Sequence, residues 1–439
     1  MQWARFGINF FLCNPLVRVN MKNCLLLVVL DGAGDLPNPK LGGRTPLEAA
    51  GMRSLNSMLA RCSAGRIYTI GKGIAPESDA AVMSLLGYDV EREYTGRGPL
   101  ETFGAGLEVR DDDLGVRCNF ATISDSMDII DRRAGRNVTD EEAKGLEKVI
   151  NAIRIGGVEL KFKATVGHRG VLRIRSEDRK LSANISNADI GYVKSGNISV
   201  ASNATGKRMP KVEALDGTPE AAYTAGVLNR FITEVTTTLN ASNINANRKS
   251  SGKLPANVLL MRDAGLGLPK VKKFGDKFGL KAAFVADMPV ERGIARLAGM
   301  DELRVETSMP SKDKYARMAE IVRDNYRKFD FVYLHIKGPD EPGHDGEAEL
   351  KTRVLEEIDH VFFNGIAQVV DNLTLCVTAD HATPCTLKRH SDDPVPVVVK
   401  SADPSKNTDT ATFSEVGVKN GAIGTIIGRE LINLLEKYR

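Results

Sequence analysis

Apolar residues follow two rhythms along this chain. In the first rhythm they form short, nearly continuous runs: CLLLVVL at 24–30, NVLLMR at 257–262, AAFVA at 282–286, FVYLHI at 331–336, LTLCV at 373–377 and PVVV at 396–399. Such runs predict strands buried on both faces, as in a parallel sheet. In the second rhythm they recur at helical spacing. Met318, Ile321 and Val322 mark one face of 314–327, and Leu350, Val354, Leu355, Ile358 and Val361 mark one face of 348–370. Strand and helix patterns in alternation predict an α/β fold with a mostly parallel sheet flanked by helices.

The middle of the chain is patterned differently. VRCNFATI at 116–123, VELKFKATV at 158–166 and VLRIRS at 171–176 alternate more, as strands of a sheet with one exposed face do. The stretch 240–253, NASNINANRKSSGK, is rich in Asn and Ser and reads as a linker. These shifts predict a domain of 108–252 inserted into one formed by 21–107 plus 253–439. Residues 1–20 hold only a short apolar patch with no small-residue cleavage site, a poor signal peptide. They are expected to be a dispensable extension.

A length of 439 residues leaves room for two or three domains at roughly 150 residues each. The charge is +4, from 60 Lys and Arg against 56 Asp and Glu, with signs mixed throughout. This argues against a nucleic-acid partner. With no run of 18 apolar residues, no membrane partner is expected either. The six cysteines, at 13, 24, 62, 118, 376 and 385, form no CxxC pair. A reducing, cytoplasmic location fits that usage.

The chemistry gathers where strand runs end, because ligands of open α/β sheets bind beyond the carboxyl ends of strands. Run 24–30 ends at Asp31. Run 331–336 leads into KGPDEPGH, with Asp340 and His344. Run 373–377 leads into TADHATP, with Asp380 and His381, and His390 follows in KRHSDDP. Each alone is an ordinary turn residue or cap. Together they offer six oxygen and imidazole ligands, a set suited to two adjacent divalent ions. His335 and His360 are assigned to packing or surface. Ser78, in GIAPESDAAVMSLLGY, falls near the start of a helix pattern. It reads equally as an N-cap and as a nucleophile at a phosphate-binding helix terminus.

These residues resemble the alkaline-phosphatase superfamily, and more narrowly its archaeal-type cofactor-independent phosphoglycerate mutases. The likeness lies in VVLDGAGD, LGGRTPLEAA, PESDAAVMSLLGYD, YTGRGPLETFGAG, RCNFATI, DRRAGR, HIKGPDEPGHDG, TADHATPC and HSDDPVPVVV, spread from about residue 24 to the C-terminus. The resemblance implies an alkaline-phosphatase-like sheet with a smaller inserted α/β lid domain, and interconversion of 3- and 2-phosphoglycerate through a phosphoserine. It implies two divalent ions, Mn²⁺ foremost with Mg²⁺, Zn²⁺ or Co²⁺ as alternatives, and no 2,3-bisphosphoglycerate. By the same likeness, Ser78 is the phosphoryl acceptor. One ion falls to Asp340, His344 and His390, the other to Asp31, Asp380 and His381 with Ser78 as an added ligand. Asp131 becomes a base or positioning residue for the substrate hydroxyl. Arg132, Arg136, His168, Arg169 and Lys337 become substrate contacts, and Lys314 a further candidate for gripping phosphate. The implied partner is a small phosphorylated metabolite, bound by a monomer or small homo-oligomer. Glu77, directly before Ser78, departs from the small residue expected there. A carboxylate beside a phosphoryl acceptor is unfavourable unless it points away.

Overall fold

The computed structural model describes residues 23–439 apart from 196–197, 202–205 and 307–308; the expected extension 1–20 lies outside the described residues. Fifteen strands are described: β1 (Cys24–Leu30), β2 (Ser63–Tyr68), β3 (Leu114–Ile123), β4 (Ile129–Asp131), β5 (Glu159–Ala164), β6 (Arg169–Arg175), β7 (Tyr192–Ser195), β8 (Ile198–Ala201), β9 (Val258–Leu266), β10 (Ala282–Val285), β11 (Asp301–Glu302), β12 (Phe331–Ile336), β13 (Leu373–Thr378), β14 (Val395–Lys400) and β15 (Gly424–Ile427).

Eight of them form one sheet in the order β11-β10-β12-β1-β13-β14-β2-β15. β1 lies parallel between β12 and β13, with Leu30 opposite Ile336 and Val29 opposite Thr378. Every residue of β1, β12 and β13 is buried, as a strand covered on both faces requires. The run at 396–399 does form a strand, but β14 is antiparallel to both its neighbours. A doubly covered antiparallel strand is as apolar as a parallel one, so the pattern cannot report direction.

A second sheet has the order β4-β3-β6-β5, with β9 on the other side of β3. The run 257–262 was expected in the parallel sheet. Instead β9 pairs antiparallel with β3 and carries the second sheet on to Leu266, beyond the expected return at 253. The helix Pro219–Asn240, capped by Thr218, buries Phe231, Ile232, Val235 and Leu239 on this side of the molecule. Full burial of each such side chain contributes about 1.5–3 kcal/mol. The expected linker 240–253 is largely helix, Asn243–Ser250, capped by Ser242. Its Arg248 is buried and donates to the carbonyls of Leu254, Asn137 and Ala134. These contacts are tertiary, and composition gave no sign of them. The expected helix 348–370 is regular only over Ala348–Ile358, and Leu350 is exposed.

The helix Arg97–Gly104 touches both bodies. A Cβ on Gly98 would fall 2.1 Å from the Gly115 carbonyl oxygen of β3, and one on Gly104 would fall 1.6 Å from the Pro289 carbonyl oxygen on the other side. Only glycine permits that approach of backbone to backbone. Among the described residues, no helix is long and apolar enough to cross a membrane.

Candidate active site

Three adjacent parallel strands, β12, β1 and β13, deliver their carboxyl ends to one edge. Asp31 follows β1 directly, its N–H bonded to the Ile336 carbonyl at 3.0 Å. Gly32 takes φ +59°, and a Cβ there would lie 2.7 Å from Asp340 Oδ1, so the glycine lets the two loops meet. Its N–H donates to Asp380 Oδ1 at 2.9 Å. Asp340 opens the short helix Asp340–Asp345, which turns His344 back toward it.

Asp31, Asp380 and His381 bring ligand atoms within 4.8 Å of one another, as do Asp340, His381 and His390. His344 Nε2 lies 3.5 Å from Asp340 Oδ1 and 3.2 Å from His390 Nε2, so the expected second set is also gathered. Thr383 Oγ1 donates to Asp340 Oδ1 at 2.7 Å and lies 3.0 Å from His381 Nδ1. It thereby orients a ligand of each group. Behind them the buried Lys351 ammonium donates to Gly34 O, Asp35 Oδ2 and Thr383 O at 2.9–3.0 Å, tying the loop after β1 to the loop after β13.

The electrostatics of this cluster fit cations. Asp31 Oδ1 and Asp380 Oδ2 are buried without a hydrogen-bond partner. Burial opposes ionisation of Asp31, but Lys337 and His335 outweigh it and hold its carboxyl well below the usual range. Burial and the Asp31 charge together push Asp380 up to about 7. Burial also works against a charged His390, yet Glu77 and Asp340 raise it to about 10. A divalent ion relieves such crowding of carboxylates and accepts the donor types present, oxygen and imidazole without thiolate.

Ser78 is the first residue of the helix Ser78–Leu85, with Glu77 at the cap position and no side-chain cap bond. Its hydroxyl is therefore not spent on capping. Ser78 Oγ lies 3.1 Å from His381 Nε2, the imidazole shared by both ligand groups. Glu77 turns aside: its Oε2 meets Arg97 at 3.4 Å and its Oε1 lies 3.7 Å from His390 Nδ1. The neighbouring Asp79 is buried, accepts from the Tyr94 hydroxyl, and is raised chiefly by burial.

A cleft of about 400 Å³ lies over this edge, lined by Ser78, Arg97, Arg117 and Lys314 together with residues of the second sheet's side. That is room for a small metabolite. Arg132, Arg136, His168, Arg169 and Lys337 all line it. Arg132 makes a bidentate contact with Asp189 at 2.8–2.9 Å, and Arg136 reaches across to Asp345 at 3.6 Å. Ala134, Gly135 and Arg136 are all left-handed, at φ 46°, 74° and 54°. Asp131 Oδ1 accepts from Arg133 N at 2.7 Å and Gly135 N at 3.1 Å. That oxygen thereby braces the left-handed turn at Ala134–Arg136. Burial and the adjacent Arg169 lower His168 to about 4, which keeps it neutral. The ammonium of Lys337 does not project free into the cleft. It meets Asp31 Oδ2 at 2.9 Å and Glu291 Oε1 at 2.7 Å.

Several site residues escaped the sequence reading. His335 is buried as expected of a packing residue, yet its Nε2 faces Asp31, Glu291 and Asp380 at 3.8 Å each. Glu291 carries a faint signal, a carboxylate on the buried face that Val290 and Ile294 define in the helix Pro289–Leu297. A chain of ion pairs had none. It runs from Glu77 through Arg97, Glu101, Arg117, Asp263, Arg262 and Asp189 to Arg132, with steps of 2.7–3.5 Å.

Fold and site define an α/β protein that gathers candidate cation ligands beside a serine hydroxyl, beyond the carboxyl ends of three parallel strands. A family model for 2,3-bisphosphoglycerate-independent phosphoglycerate mutase matches residues 60–245. An Aeropyrum pernix protein of that name is 40% identical over 92% of this chain and 96% of its own length. One from Methanocaldococcus jannaschii, 2,3-bisphosphoglycerate-independent phosphoglycerate mutase 1, is 36% identical over 94% and 97%. Among solved structures, the cofactor-independent phosphoglycerate mutase of Thermoplasma acidophilum superposes with a TM-score of 0.61 at 31% identity, over 94% of this chain and 99% of its own. A Pyrococcus horikoshii protein gives 0.73 at 28% identity, over 95% and 97%. The chain belongs to the 2,3-bisphosphoglycerate-independent phosphoglycerate mutase family.

Proposed function

We propose that the chain interconverts 3-phosphoglycerate and 2-phosphoglycerate through a phosphoserine at Ser78, in the cytoplasm, without 2,3-bisphosphoglycerate. The observation that carries this reading is the placement of Ser78 Oγ 3.1 Å from His381 Nε2, at the floor of an arginine-lined cleft. The residues that would hold one divalent ion, Mn²⁺ foremost, are Asp340, His344 and His390. Asp31, Asp380 and His381, with Ser78, would hold the other. When bound, such ions supply positive charge for the phosphoryl oxygens and favour ionisation of a nearby hydroxyl.

The chain's own groups do the rest. Ser78 Oγ bonds to phosphorus as the bond to the glycerate 3-oxygen breaks, and the serine proton ends on that departing oxygen. The 2-hydroxyl of the retained glycerate then takes the phosphoryl group and returns its proton to Ser78. Arg97, Arg117 and Arg169 stabilise the anion through both steps. Asp131 holds the loop of Arg132 and Arg136 over the substrate. The part of the chain built on the second sheet, which β9 carries on to Leu266, acts as a lid over the eight-stranded sheet and excludes water that would hydrolyse the phosphoserine.

A phosphomonoesterase would use the same serine and needs no lid. Incubation with Mn²⁺ and 3-phosphoglycerate, followed by phosphorus NMR, separates the two. The expected result is 2-phosphoglycerate without free phosphate. Free phosphate with no 2-phosphoglycerate would reject the mutase reading.

A further inference from the structure

Five buried side-chain atoms without a hydrogen-bond partner converge beside the proposed ion sites: Asp31 Oδ1, Asp380 Oδ2, both carboxylate oxygens of Glu291, and His335 Nε2. Glu291 is fully buried, and a buried carboxylate needs a compensating charge. What stands against it is Lys337 Nζ, 2.7 Å from Glu291 Oε1 and 2.9 Å from Asp31 Oδ2, as ion contacts. His335 is fixed on its other side, Nδ1 lying 2.7 Å from the Tyr333 hydroxyl.

We infer that the Lys337 ammonium occupies a third cation position, formed by Asp31, Glu291, Asp380 and His335, and that Glu291 is the positioning residue that keeps it there. The inference rests on the two-ion reading above. Its warrant is the set of unpartnered donor atoms around the ammonium, with their charge. Three carboxylates meet one ammonium, and a single divalent ion on Asp31, Asp380 and His381 closes the account at zero. With Lys337 in place there is no deficit for another ion to fill. Without it the cage keeps two carboxylates and an imidazole around one uncompensated Glu291, a donor set that takes a divalent ion. An ordinary structural ion pair makes no such demand, since its loss lowers stability and leaves ion uptake alone.

Equilibrium Mn²⁺ binding decides between them, with free Mn²⁺ read by electron paramagnetic resonance. Lys337→Met is expected to bind one ion more per chain than the parent, and Lys337→Met combined with Glu291→Gln to return to the parental number. Equal uptake by Lys337→Met and the parent overturns the inference. Glu291→Gln provides the second arm should Lys337→Met not fold. It is isosteric, and loss of the anchor leaves Lys337 to compete for Asp31. Affinity of one ion site should then fall about tenfold or more while the other keeps the parental value. Two unchanged affinities overturn the inference as well. A parent that binds no Mn²⁺ strikes the two-ion reading instead, and the difference between Lys337→Met and parent still settles the third position.

Discussion

Thr383 Oγ1 touches a ligand of each proposed ion group, 2.7 Å from Asp340 Oδ1 and 3.0 Å from His381 Nδ1. Since the same hydroxyl fixes a carboxylate and an imidazole tautomer, removing it should disturb both ions together. Thr383→Val, which keeps the shape, is expected to weaken Mn²⁺ binding about 10–100-fold, read by titration calorimetry. Unchanged affinity would show that the ligands hold their orientation without it.

Ser78→Ala removes the proposed phosphoryl acceptor and one hydrogen-bond contact to His381. Mutase turnover should fall by at least about a thousandfold. Stability should move by only about 1 kcal/mol, the worth of one such contact. Substantial residual turnover, measured after verifying the fold by circular dichroism, would exclude a covalent step at this serine.

Lys351→Met strands Asp35, whose Oδ2 lies 2.9 Å from the fully buried ammonium. Breaking a buried pair from one side costs about 3–5 kcal/mol. Denaturant unfolding should show a loss of that size. A shift under about 1 kcal/mol would mean that the two loops are held by other contacts.

Arg136→Gln cuts an ion pair between half-exposed partners, Arg136 and Asp345 at 3.6 Å. Such pairs contribute about 0–1 kcal/mol, so stability should barely change. KM for phosphoglycerate should rise severalfold, because the same guanidinium lines the cleft. If KM is unaltered, Arg136 does not meet the substrate.

His168 supplies a pH prediction. Burial and Arg169 lower it to about 4 in the folded chain, below the ordinary value of 6.5. Between those two values the unfolded chain binds the extra proton and the folded chain does not, so this group's contribution to stability declines as pH falls from about 6.5 toward about 4. His168→Gln should flatten that part of the stability curve, measured by denaturant unfolding from pH 4 to 7.5. An unchanged slope would place the titration elsewhere.

The parallel core was legible because β1, β12 and β13 are buried on both faces and so carry uninterrupted apolar runs. Their ends could then be read for chemistry, which located Asp31, Asp340, Asp380 and His381. Two things were not legible. Strand direction leaves no mark on a doubly buried run, which is why β9 and β14 were misassigned. Polar residues that act through tertiary contacts, such as Lys351 and Arg248, look in sequence like any helix-surface charge, and Glu291 differs from them only by sharing a face with Val290 and Ile294. Their roles arise only once distant segments meet, Lys351 with Asp35 across 316 positions.

Backbone meets backbone at Gly98 on the second sheet's side and at Gly104 on the other. Residues 108–252 are consequently no transplantable module. Excised or grafted onto another host, β3 would present a bare glycine-lined furrow to water where the helix Arg97–Gly104 now sits, and β9 would be missing altogether. Genetic dissection of this chain should therefore keep the span from Arg97 to Leu266 in one piece.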